Sequence, residues 1–164
     1  MSYQVYTDGS TLGNGTENAI GGWGFTVYQN NMRLTYDSGN AKGTTNQRME
    51  LTALIEALKL CKNLYAISPI ASFNVYTDSA YFINCVNQKW YEKWISNGWI
   101  NSQKQPVKNQ DLWEELIPFF SDGRFTFFKV KGHAGIERNE EVDGLARKAS
   151  ALLKERVEHE DNCN

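Results

Sequence analysis

One short phrase occurs twice in this chain. Val5-Tyr6-Thr7-Asp8 returns seventy residues later as Val75-Tyr76-Thr77-Asp78, each time closing a run of β-branched and aromatic residues. Both runs read as buried strands that stop on an aspartate. Strands built alike and laid side by side put Asp8 and Asp78 at one edge of one sheet. Two carboxylates there repel each other unless a cation lies between them.

The segments around the echo say how the two strands meet. Tyr3, Val5 and Thr7 alternate with Gln4, Tyr6 and Asp8, so Asp8 leaves on one defined face. Residues 9–22 are polar and glycine-rich and read as a loop. Gly22 to Gln29 and Met32 to Ser38 read as an antiparallel pair, because Asn30-Asn31 tolerates the positive φ of a two-residue turn. Thr44-Thr45-Asn46 offers N-caps for a helix from about Asn46 to Lys62, and Ser72 to Asp78 is the second echo strand. A right-handed crossover makes the echo strands parallel neighbours, with their C-terminal ends at the edge where open α/β sheets carry chemistry. A short helix from Ser79 to Asn87, a helix from Gln110 to Phe120 and a strand from Arg124 to Val130 follow. Asn139 offers a cap for a last helix with the stripe Val142, Leu145, Ala146, Ala149, Leu152 and Leu153, and the acidic residues 158–164 are expected to lack structure.

Two further acids stand in telling places. Glu50 falls among Ala53, Leu54, Ala57 and Cys61, on the helix face that packs against the sheet. A carboxylate there needs a partner, either a helix-to-strand ion pair with an arginine or a cation shared with other acids. Asp143 sits in the first turns of the last helix, where complementing the helix dipole is reason enough for a lone aspartate. From Lys89 to Lys108, Lys89, Lys93, Lys104 and Lys108 face Glu92 alone, interleaved with Trp90, Tyr91, Trp94 and Trp99. That mixture suits a nucleic-acid groove, and it equally suits a helix that buries its tryptophans and solvates its lysines.

Composition narrows the class. At 164 residues the chain is one domain, and its formal charge of −2 gives no global sign of a polyanion partner. Cys61, Cys85 and Cys163 are odd in number and widely spaced, which argues against a disulfide frame or zinc site and for a reducing compartment. The first strand begins too early for a signal peptide, and no apolar run reaches the ~20 residues of a membrane span. The expectation is a cytoplasmic protein with no membrane contact. Asp8, Glu50, Asp78 and Asp143, taken together, form an all-oxygen set suited to Mg²⁺ or Mn²⁺.

The chain resembles ribonuclease H type 1. The resemblance is carried by Tyr6-Thr7-Asp8-Gly9-Ser10, Thr45-Asn46-Gln47-Arg48-Met49-Glu50-Leu51, Tyr76-Thr77-Asp78-Ser79 and Asn97-Gly98-Trp99. It continues through Pro106 to Trp113, Val130-Lys131-Gly132-His133-Ala134-Gly135, and Asn139 to Arg147. It implies an α/β, ribonuclease-H-like fold with a mixed five-stranded sheet in order 3-2-1-4-5 flanked by helices. The catalytic domain would span 1–157, with 89–109 as a handle-like basic protrusion.

The implied activity is hydrolysis of the RNA strand of RNA–DNA hybrids by two Mg²⁺ ions, with Mn²⁺ as a substitute, leaving 5′-phosphate and 3′-hydroxyl ends. Asp8, Glu50, Asp78 and Asp143 match the family's metal ligands, and His133 its loop histidine, a side chain that titrates near neutral pH. Asn14, Asn46 and Gln47 match residues that contact the minor groove and RNA 2′-hydroxyls. Thr45 and Asn109 match a DNA-phosphate pocket, and Tyr81, Trp90 and Trp94 an aromatic channel for deoxyribose. The protein is expected to act on hybrid as a monomer. The alternatives are another nuclease of the same fold, or a non-catalytic hybrid-binding module. The chain departs from the pattern in a weakly basic handle, in Ala80 where other members carry a longer side chain, and in Gly43 where some carry an arginine.

Overall fold

The computed structural model describes residues 1–130 and 137–163. Its centre is a five-stranded sheet ordered β3-β2-β1-β4-β5, as the resemblance implies. The strands are β1 (Ser2–Leu12), β2 (Ile20–Gln29), β3 (Met32–Lys42), β4 (Ser72–Thr77) and β5 (Phe125–Lys129). The helices are α1 (Asn46–Ile67), α2 (Ala80–Gln88), α3 (Trp90–Asn97), α4 (Gln110–Phe120) and α5 (Glu137–Cys163). The echo strands are parallel neighbours in matched register, Val5 opposite Val75 and Tyr6 opposite Tyr76. β1, β2 and β3 form an antiparallel meander, turning between β2 and β3 at Asn30-Asn31, where Asn30 takes φ 56°.

Side-chain alternation divides the sheet into two faces. Tyr3 and Val5 of β1, Phe25 and Val27 of β2, and Phe73 and Val75 of β4 point to the face covered by α1. There Leu51, Leu54 and Leu58 of α1 join Phe82, Trp113 and Leu116 in a core with no solvent access. Tyr6 and Tyr28 point the other way and pack against Val142 of α5.

Several boundaries differ from the sequence reading. β1 does not end at Asp8: Gly9 to Leu12 continue the ladder opposite Trp23 to Ile20, so half of the expected loop is strand. The polar composition misled there, because cross-strand pairing overrides a weak local preference. β3 likewise runs on to Lys42, α1 to Ile67 and α5 to Cys163. The last replaces the unstructured tail that was expected, since nothing from Lys154 onward breaks a helix, and Lys154 pairs with Glu158 one turn on at 3.8 Å. Asn139 is not a cap but lies inside α5, whose first turn carries Glu137 and Glu140.

Candidate active site

The unequal lengths of β1 and β4 make a step in the sheet edge. β4 stops at Thr77, while β1 runs on beside β2, and Thr7 marks the parting by donating its hydroxyl to the Tyr76 carbonyl at 3.2 Å. Asp8 lies on β1 just past this point, on the α5 side. Asp78 follows the end of β4. Ser79 then caps α2, its hydroxyl accepting from the Phe82 N–H at 3.2 Å.

Glycines bring the two helices to the step. Gly9 lies against the backbone of Met49 and Glu50, where a Cβ would collide. The second turn of α1 can therefore press onto β1, which delivers Glu50 to the edge. Gly22 and Gly24 do the same on the opposite face, against Ala146, Ser150 and Leu145 of α5, and so carry Asp143 to the site.

The electrostatics show that these acids converge. Desolvation pushes the Asp8 carboxyl up to about 8, aided by the charge on Asp78 and a hydrogen bond with Asp143. Glu50 is pushed up to about 7, first by desolvation and then by Asp78, while a hydrogen bond from the Ser79 hydroxyl acts the other way. Asp78 is also raised, by the protein crowding around it and by Asp143, against an opposing pull from Lys129. Its surface is solvent-exposed, so this desolvation comes from flanking walls rather than from cover.

Among the described residues no lysine or arginine ion-pairs with Asp8, Glu50 or Asp78, so the helix-to-strand pair considered for Glu50 does not form. Asp143 alone has a partner, Arg147 at 2.8 Å one turn along α5. No three acidic, histidine or cysteine side chains among the described residues surround one point. An all-oxygen set of desolvated carboxyls, with Asp8, Glu50 and Asp78 outside any described ion pair and the charge on Asp78 raising the other two further, fits a hard divalent ion. His133 lies outside the described residues.

A second polar cluster gathers at the start of α1. The Thr45 hydroxyl caps the helix by accepting from the Arg48 N–H at 3.2 Å. Asn14 accepts from the Asn46 N–H at 3.0 Å, and Gln47 from the Asn109 side-chain amide at 3.2 Å. Thr45, Asn46, Gln47, Asn14 and Asn109, separated by up to ninety-five positions in sequence, thus form one surface.

Residues 1–151 match the family model described as RNase H. The chain belongs to the ribonuclease H family. A Ribonuclease H of Syntrophomonas wolfei is 46% identical over 149 residues, covering 91% of this chain and 96% of that protein. The solution structure of the PFV RNase H domain superposes with a TM-score of 0.72 at 26% identity, covering 92% of this chain and 94% of that one. LC11-RNase H1, solved in complex with an RNA/DNA hybrid, gives a TM-score of 0.67 over 92% of this chain and 98% of that one. At 21% identity this last likeness is one of fold. Ribonuclease H family membership makes the chain a phosphodiester hydrolase.

The aromatic residues form a separate wall. Tyr81, Trp90 and Trp94 line a cavity of about 530 Å³ with Lys93, Asn97 and Asn101. Tyr81 meets Trp90 edge-on at 5.5 Å and is 39% exposed, whereas Trp94 is 6% exposed and packs on Trp113. Trp94 is therefore a core residue that shows only an edge to the cavity.

Three residues of the motifs carried no assigned role in the sequence: Gly9, read as part of a loop, Ser79, and Arg147. Arg147 could have been found from its i, i+4 spacing to Asp143. Ser79 could have been found as an N-cap, but nothing local marks Gly9, whose role depends on the approach of α1.

Proposed function

We propose that this ribonuclease H family member is an endonuclease that cuts the RNA strand of RNA–DNA hybrids, acting in the cytoplasm as a monomer. The observation that carries this reading is the set Asp8, Glu50 and Asp78, drawn from three elements, mutually repelling and without a cationic partner. With Asp143 it would hold two Mg²⁺ ions, Mn²⁺ being a substitute. When bound, these would polarise the attacking water and stabilise the leaving oxygen, giving 5′-phosphate and 3′-hydroxyl ends. The Ser79 hydroxyl favours the ionised form of Glu50 that the role needs, and Asp143 would join the set on leaving Arg147.

The remaining residues handle the hybrid. Asn14, Asn46 and Gln47 would face the minor groove, where 2′-hydroxyls distinguish RNA from DNA. Thr45 and Asn109 would hold a phosphate of the DNA strand at the α1 N-terminus, whose dipole favours an anion. Tyr81 and Trp90, with the edge of Trp94, would stack on the DNA sugars, and residues 89–109 would supply weak basic guidance. His133 would assist proton transfer or product departure.

The test is cleavage of labelled RNA–DNA hybrid, RNA duplex and DNA duplex in Mg²⁺ and in EDTA. Cutting confined to the RNA of the hybrid and lost in EDTA is expected. Equal cutting of all three would overturn the reading, and tight hybrid binding without cleavage in either metal would make the protein a binding module.

A further inference from the structure

Arg48 lies in the first turn of α1 and belongs to neither the carboxylate set nor the groove contacts proposed above. Its guanidinium bridges two helices. Nη1 donates to Asn109 Oδ1 and to Asp111 Oδ1, each at 3.1 Å, and Nη2 donates to Asp111 Oδ2 at 2.9 Å. Asp111 therefore neutralises Arg48 through a two-pronged contact, and the same contact holds the Asp111 carboxyl below its ordinary range. A cation already committed in this way is a poor phosphate ligand but a good fixture.

What it fixes is the amide of Asn109. Guanidinium has donors only, so the Asn109 atom facing it must be the carbonyl oxygen, and the NH₂ group must point away. One amide N–H then donates to Gln47 Oε1 at 3.2 Å. The other has no partner among the described residues. Asn109 holds the left-handed conformation, φ 63°, at the head of α4, where its side chain makes no capping bond of its own. Without an external hold this amide could turn over and offer an oxygen to the groove, which would repel a phosphate.

We propose that Arg48 is a positioning residue for substrate binding: clamped by Asp111, it locks the Asn109 side chain so that a donor, never an acceptor, faces the DNA-strand phosphate. This rests on the phosphate role given to Asn109 under the proposed function, and it adds the device that orients it. It also separates two roles for arginine. A direct phosphate contact needs only charge, whereas a lock on one carbonyl and two carboxylate oxygens needs the planar fork.

The experiment is a double-mutant cycle with Arg48→Gln, Arg48→Lys, Asn109→Ala and the pair Arg48→Gln/Asn109→Ala. Steady-state hybrid cleavage, melting temperature and side-chain amide NMR of the metal-free protein are measured for each. Arg48→Gln is expected to raise KM about 3–10-fold with kcat nearly unchanged, as loss of one well-aimed hydrogen bond implies. The pair should be no worse than Asn109→Ala alone, because Arg48 acts only through that side chain. Lysine should fail to rescue, and Tm should move by no more than about 3 °C, since the ion pair is largely exposed.

In the NMR spectrum Arg48→Gln should shift the Asn109 amide pair and speed its exchange with water. That reading needs no substrate. If wild-type protein neither binds nor cuts hybrid, the proposed function has failed while the lock still stands or falls on the amide signal. Additive effects in the pair, rescue by lysine, or an Asn109 amide unmoved in Arg48→Gln would each overturn the proposal.

Discussion

Asp78 is the residue through which the charges of the site communicate. Its carboxylate raises both Asp8 and Glu50, and it is itself raised by Asp143. The consequence for pH is definite. In the unfolded chain these carboxyls titrate near 4, whereas in the folded, metal-free chain Asp8 titrates at about 8 and Glu50 at about 7. Between those limits the folded state holds more protons than the unfolded one, so stability is full at the acid end and falls as pH rises toward 8. The loss should be on the order of 2 kcal/mol once solvent screening is allowed for. Calorimetry in EDTA from pH 4.5 to 8.5 checks this: Tm should decline, Mg²⁺ should restore it at pH 8, and a flat metal-free profile would contradict it. Asp8→Asn should flatten the curve and raise Tm at pH 8, while reducing hybrid cleavage at least about a hundredfold.

At the scale of the element, the site depends on how closely helices approach strands. Gly9→Ala would set a methyl group against the backbone of α1, and Gly22→Ala another against Ala146 and Ser150 of α5. Each should cost about 1–3 kcal/mol in urea unfolding, the usual penalty of overpacking. Gly9→Ala should also lower kcat at least about tenfold by displacing Glu50; a stable, fully active variant would show that the close approach is not needed. Ser79→Ala should cost about 1 kcal/mol as a lost cap and weaken Mg²⁺ activation, since the same hydroxyl pulls the Glu50 carboxyl down. This is also the scale at which sequence reading ran short. The four acids, the parallel echo strands and the Asn30-Asn31 turn were legible because each rests on a local pattern: a repeated phrase, a helical stripe, a turn dipeptide. Residues 9–12 and 158–163 were not. The first are strand only because β2 pairs with them, and the second were judged by acidity although nothing in them stops a helix.

For the whole molecule the decisive quantity is where charge lies. The chain carries a net charge of −2, while Lys89, Lys93, Lys104 and Lys108 are offset by Glu92 alone within the handle region. No described helix is long and apolar enough to cross a membrane. With so few cations to meet phosphates, hybrid affinity should depend only modestly on salt. A plot of log K against log salt should have a slope no steeper than about −4. A much steeper slope would mean that contacts beyond the four lysines carry the binding.

The contact of Gly22 and Gly24 with α5 has a consequence in time as well as in space. Asp143 follows Asp8 by 135 positions, on a helix whose close docking runs across those two glycines. A chain still emerging from the ribosome owns three acids and lacks both the fourth and the wall behind it. Metal capture by the four proposed ligands would thus wait until α5 has been made and has docked, so that cutting would follow folding.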